Sequence, residues 1–182
     1  GIYDNEPKVF FNLKGVPAGI FVDILEEIKK SESWEIDYVS CQWSDCLKQL
    51  KNGELDIMPD VAYTLEREKK FLFSDEAFLS SWSVLYKRKN VKIASILDLH
   101  HKKVAVVSGS IQSSSIKEEV KLFNIEPILQ EYESFEIAFE KVKNNAADCV
   151  LANRFYGDQH YKLYNLEKTA ILIKPSMLKF AF

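Results

Sequence analysis

Several kinds of residue pattern are scarce or missing in this 182-residue chain. There are three histidines, and His100, His101 and His160 show no metal-ligand spacing with any of the three cysteines. Zinc is not expected, and His100-His101 read as part of an exposed turn. Lys and Arg total 24 against 27 Asp and Glu, a formal net charge of -3, with no long run of either sign. That argues against nucleic acid as the main partner. No stretch approaches the roughly 20 apolar residues of a membrane span, and no signal peptide is recognisable. The hydrolase patterns G-x-S-x-G and H-E-x-x-H are absent, and no histidine sits near a plausible nucleophile. Catalysis therefore finds little support, although Asp60 or Glu76 could in principle serve as an acid.

What remains is ordinary globular composition, 47% hydrophobic and 28% charged, in a chain long enough for a sizeable core. The chain opens at Gly1-Ile2-Tyr3 as if partway out of a strand and closes on the apolar run Leu178 to Phe182. It reads as a piece of something longer, with any targeting or anchoring segment outside it. Cys41 and Cys46 lie five apart across a strand-to-helix turn. A disulfide and a small core residue at Cys46 are both open readings. Cys149 falls in an apolar strand and reads as buried and inert.

Strand and helix signals alternate. Strands are expected at Val9 to Phe11, Trp34 to Val39, Leu55 to Met58, Phe78 to Arg88, Lys103 to Val107, Ile128 to Tyr132, Asp148 to Leu151 and Ala170 to Ile173. Helices are expected where Phe21, Ile24, Leu25 and Ile28 recur at helical spacing, over Trp43 to Leu50, Ser113 to Phe123 and about Arg154 to Tyr164, and on the face Phe135, Ala138, Phe139 and Val142. The order argues an α/β protein with largely parallel sheets. Trp43 to Asp60 also matches Phe135 to Ala152 without a gap: Leu47 falls on Phe139, Leu50 on Val142, Lys51-Asn52 on Lys143-Asn144 and Asp56 on Asp148. Shared βα grammar alone could produce this, but a two-lobed chain with a ligand cleft explains it as well.

Two strand ends carry chemistry. The first is Gly53 to Asp75, where Pro59 is expected to stop a buried strand and Asp60, Tyr63 and Thr64 follow at its carboxyl end. Thr64 can cap a short helix with Arg67 in its first turn, the unfavourable end of the helix dipole for a cation. Arg67 is either solvated between Glu66 and Glu68 or neutralised by a bound anion. The second is Val104 to Gln112, where a buried strand runs through Ser108-Gly109-Ser110 into a helix whose first N–H groups favour an anion. It lacks the lysine and multiple glycines of a phosphate loop.

The pattern G-E-x-D-I, T-x-x-R and F-x-F-S-D resembles the first lobe of the type II periplasmic solute-binding proteins, the bacterial extracellular solute-binding family 3, from Tyr3 to about Phe182. The resemblance implies a two-lobed periplasmic-binding-protein-like fold with lobe one at 1–85, lobe two at 86–176 and a crossover strand at 177–182. Hinges fall near 83–86 and 177–180, and the C-terminal part of lobe one lies outside the sequence. It implies that Arg67 grips a ligand carboxylate, aided by Ser110, Ile111 and Gln112. Trp43 stacks on the ligand, with Phe10 as the other wall and Tyr63 and Trp82 as looser aromatic positions. Asn153 stands where amino-acid binders usually carry an Asp for the ammonium, and Asp60 either supplies that charge or points away or caps the helix near Tyr63-Thr64. The wording of the chain is closer to receptor-attached sensors. The expected function is thus an extracytoplasmic sensor domain that binds an amino-acid-like carboxylate and signals to a histidine kinase tethered to the inner membrane. The alternative is a free periplasmic protein of an ABC importer, and a dehydratase or lytic transglycosylase module of the same fold is less favoured. No cofactor or metal is implied, and homodimerisation is left open. With the lobe-one return absent, Phe21, Leu25 and Leu85 are expected to be unusually exposed.

Overall fold

The structure is a computed structural model describing residues 1–182. Its elements are β1 (Phe10–Phe11), β2 (Pro17–Ala18), α1 (Ile20–Glu32), α2 (Trp43–Lys51), β3 (Met58–Ala62), α3 (Leu65–Glu68) and β4 (Leu79–Arg88). After a 3-10 turn come β5 (Lys103–Val107), α4 (Ile111–Leu122), β6 (Ile128–Tyr132), α5 (Phe135–Lys143), β7 (Cys149–Asn153), α6 (Arg154–His160) and β8 (Leu166–Ala181). The chain forms two compact units, Gly1–Ser80 with Ser176–Phe182, and Ser81–Pro175. No helix is long and apolar enough to cross a membrane.

In the first unit, β1 and β2 form a small antiparallel hairpin. Helix α1 buries Phe21, Val22 and Leu25, with Phe21 edge-on to Phe180 at 5.9 Å. Helix α2 buries Trp43, Cys46 and Leu50, the periodic face that the sequence displays. Cys41 and Cys46 form a disulfide, Cα to Cα 5.4 Å, which ties the approach loop to the first turn of α2. Strand β3 pairs antiparallel with the end of β8. Pro59 does not stop this strand, contrary to expectation. The register shifts between Met58 and Val61, so the proline and Asp60 occupy a bulge where a missing N–H breaks no ladder bond. Asp60 takes φ 61° there.

The expected strand at 34–39 does not form. Isolated pairing of Ile2 with Ser40 and a hydrogen bond from Ile2 to Val39 are what the stretch obtains. The alternation of Ile36 and Tyr38 with acids provides a face, but a strand also needs a neighbour along its length. The expected exposure near Phe21, Leu25 and Leu85 is likewise overturned, since they retain 0%, 4% and 0% of their accessible surface. Other side chains of their own units cover them.

In the second unit, β5 lies between β6 and β7 in parallel, and β7 pairs antiparallel with β4. One core layer gathers Leu85, Leu99, Val104, Val106, Ile116 and Leu151. A separate aromatic group joins Tyr86, Phe139 and Tyr156, with Phe139 5.7 Å from Tyr86 and 5.6 Å from Tyr156. Gly157 permits this packing: a Cβ there would stand 2.1 Å from the Tyr86 ring. Cys149 is a free, buried thiol on β7, and burial among apolar groups pushes it far up from its ordinary pKa.

Candidate functional site

In the first unit, Thr64 is the N-cap of α3 and accepts a hydrogen bond from the Arg67 backbone at 3.1 Å. The cap fixes Arg67 one turn after the end of β3. Its guanidinium is half-buried, donates to the Ala62 carbonyl at 2.9 Å, and lies 5.2 Å from the centroid of the Trp43 ring. Burial lowers its pKa, yet an arginine remains charged. Trp43 is buried with its indole Nε1 lacking a hydrogen-bond partner, and Tyr3 meets it edge-on at 4.8 Å. An unpaired buried donor of this kind is a cost that a ligand acceptor would offset.

Asp60 is not the cap, which is Thr64, and its carboxylate is already engaged. Lys8 Nζ donates to it at 2.7 Å, Asn5 Nδ2 at 2.7 Å and the Tyr3 hydroxyl at 2.8 Å. Both ionic partners are almost fully buried, Lys8 at 3% and Asp60 at 0% side-chain exposure. Desolvation raises Asp60 and lowers Lys8, while their mutual attraction opposes both shifts. Burial, followed by the Asp60 charge, also raises Tyr3 well above its usual value. The charge of Asp60 is thus neutralised inside the unit. Lys8, Asn5 and Tyr3 carry no motif that singles them out in the sequence, because the hairpin and the bulge bring them to Asp60.

Tyr63 stands edge-on to Phe73 at 5.4 Å with Lys179 Nζ 5.1 Å from its ring centroid, and its hydroxyl bonds to Glu68, which raises its pKa. Phe10 is half-buried in the β1–β2 hairpin.

In the second unit, Ser110 caps α4 and accepts from the Ser113 backbone at 3.2 Å. Gly109 before it adopts φ 67°, a left-handed turn that favours glycine. The N–H groups of Ile111 and Gln112 fall in the first turn, where no intrahelical acceptor exists. The Gln112 side chain turns back to donate to the Ser83 hydroxyl at 3.2 Å. Asn153 is buried and caps α6, its Oδ1 accepting from the Tyr156 backbone at 3.1 Å.

Arg154, which sequence reasoning passed over, follows immediately. Its guanidinium carbon lies 4.1 Å from the Trp82 ring centroid and 4.0 Å from that of Phe155. Trp82, a looser aromatic position in the sequence, is thus a stacking surface for an arginine.

Each of the two α/β units carries polar and cationic groups at the carboxyl ends of strands. Solved structures share the fold. The ancestral amino acid-binding protein AncCDT-1, described as a precursor of cyclohexadienyl dehydratase, superposes with a TM-score of 0.86 at 26% identity, covering 98% of this chain and 78% of that one. The chain belongs to the bacterial extracellular solute-binding proteins, family 3, which it matches over residues 1–178. Among relatives, the probable amino-acid-binding protein YxeM of Bacillus subtilis (strain 168) is 28% identical over 143 residues, 77% of this chain and 53% of that protein. The ABC transporter glutamine-binding protein GlnH of the same strain is 30% identical over 166 residues, 82% of this chain and 59% of that protein. The chain spans about half the length of the first curated relatives it matches.

Proposed function

We propose that this chain binds a small carboxylate-bearing solute, an amino acid or close analogue, outside the cytoplasm. Binding rather than catalysis is the activity, and the partner served is an ABC importer. The observation that carries this is Arg67: a cap holds its guanidinium half-buried over Trp43 at the end of β3. A planar fork placed this way suits a bidentate carboxylate. The wall residues Trp43, Phe10 and Tyr63 complete the proposed set in that unit, and the first turn of α4 offers its own anion-favouring N–H groups in the second. The relatives are named as amino-acid-binding proteins, one of them of an ABC transporter. Those names support the importer reading over attachment to a histidine kinase, and they lend nothing to a membrane tether or a homodimer.

A thermal-shift screen of amino acids and simple organic acids tests the reading, because a ligand that binds the folded state alone raises its melting temperature. Stabilisation by at least one such carboxylate, lost in Arg67→Ala, is expected. A ligand that stabilises wild type and Arg67→Ala equally removes Arg67 from the site.

A further inference from the structure

In the first unit the Arg67 grip rests on a series of contacts that ends in a buried ion pair. Arginine has a long side chain with several rotatable bonds, and a guanidinium fork is useful only if its plane is fixed. The Thr64 cap places the Arg67 backbone, and the bond to the Ala62 carbonyl places one nitrogen. The group lies over the Trp43 ring, 5.2 Å from its centroid, so the tilt of that ring bears on the tilt of the fork.

Trp43 does not fix its own ring. Its one polar side-chain atom, Nε1, is buried without a partner, so packing sets the indole. Tyr3 supplies part of that packing, edge-on at 4.8 Å with 62° between the planes. Tyr3 itself is tethered. Its hydroxyl donates to the Asp60 carboxylate at 2.8 Å and accepts from Asn5 Nδ2 at 3.1 Å. Asp60 is held in turn by Lys8 and Asn5, both at 2.7 Å, on the bulge of β3. Burial and the Asp60 charge raise the Tyr3 hydroxyl far above its ordinary pKa, and the Arg67 charge pulls it partly back. The hydroxyl therefore stays protonated and keeps donating. All of these residues belong to the first unit.

We propose that Tyr3 is a positioning residue for the Arg67 grip: tethered to Asp60, it holds the Trp43 ring, and the ring holds the plane of the guanidinium. This rests on the proposed solute-binding function, in which Arg67 takes the carboxylate. With side-chain exposures of 3% and 0%, the Lys8–Asp60 pair is out of reach of a solute. It serves the site by keeping an acceptor in place for the Tyr3 hydroxyl.

Isothermal titration of the full chain with L-glutamine, L-glutamate, L-histidine, L-arginine and succinate tests it, the tightest of these serving as the probe. Tyr3→Phe keeps the ring and removes the tether. It should weaken probe binding about tenfold, comparable to the loss of one buried hydrogen bond, at unchanged stoichiometry. A merely less stable protein would lose active molecules and not affinity. In Arg67→Lys, titrated to higher probe concentration, the same change should weaken binding less than about twofold, because an ammonium has no plane to set. Asp60→Gly combined with Lys8→Met also removes the tether, leaves no buried charge and suits the φ of 61°. It should show the same loss, and it decides the matter if Tyr3→Phe folds poorly. Wild-type affinity in a folded Tyr3→Phe, or an equal loss in the Arg67→Lys background, overturns the inference while leaving the solute-binding function standing. Failure of every probe to bind wild type defeats both.

Discussion

Residues 43–60 and 135–152 are two versions of one structural sentence, and the places where they part explain much of the molecule. Helices α2 and α5 each span nine residues. Each exits through an asparagine whose N–H returns to a carbonyl four residues back, Asn52 to Lys48 and Asn144 to Glu140. The next residue takes a left-handed conformation in both, Gly53 at φ 73° and Asn145 at φ 63°. The following turn bonds also coincide, Glu54 to Gln49 and Ala146 to Lys141. The versions diverge at their edges. Upstream of α5, β6 is a true strand because β5 lies beside it, whereas the corresponding 34–39 obtains little more than the pairing near Ile2. Downstream, β7 runs in an uninterrupted register with β4, whereas β3 bulges at Pro59 and Asp60. The shared part is local and written in side-chain periodicity and turn residues. The divergent part depends on which distant strand arrives.

The sharpest way to break the comparison is at Asp60, whose counterpart Ala152 has no charge to satisfy. Asp60→Ala strands the buried Lys8 ammonium and should cost about 3–5 kcal/mol in urea unfolding, with Lys8→Met in the same chain restoring a good part of it. A loss below about 1 kcal/mol would show that the pair is solvated in solution. Next comes Arg67, which the second version lacks. Arg67→Ala should leave the melting temperature without ligand nearly unchanged and weaken carboxylate binding by roughly 2–5 kcal/mol, read by titration calorimetry. Arg67→Lys should also weaken it, because an ammonium cannot form the fork.

A smaller contrast lies at the helix exits. Gly53→Ala places a Cβ at a left-handed position and should destabilise by about 1 kcal/mol, while Asn145→Gly should change stability by no more than a few tenths. Equal effects at both sites would show that the turns are not equivalent in energy. The smallest effect concerns Glu131 on β6, whose counterpart is Val39. Hydrogen bonds from Lys117 and Ser113 hold its carboxyl below the ordinary 4.5. A depressed folded-state value means that its contribution is present above about pH 4.5 and lost as the pH falls through the lower folded value. Glu131→Gln should therefore be less stable than wild type at neutral pH, with the gap closing in acid. A gap that does not narrow as the pH falls would assign the effect to lost packing instead.

Legibility in the sequence followed the same divide. Helices α2 and α5 are visible because Trp43, Cys46 and Leu50, or Phe135, Phe139 and Val142, repeat at helical spacing. Arg67 is visible because a capping threonine fixes it three residues on. Pro59 misleads: its missing N–H reads as a strand end, and a bulge that tolerates it is set by β8, more than 100 residues later. The pairing of Lys8 with Asp60 is equally silent, since nothing near Lys8 shows that it will be buried. Arg154 carries no motif, and its stacking becomes visible with Trp82 and Phe155 in place.

The sealed thiol on β7 gives the protein a built-in clock for its own opening. With Cys41 and Cys46 joined, Cys149 is the single free sulfhydryl, and it lies within the buried face of the strand. A thiol reagent added to the native protein should react at the rate at which β7 becomes accessible. Any solute that stabilises the second unit should slow that labelling, without a mutation or a dye.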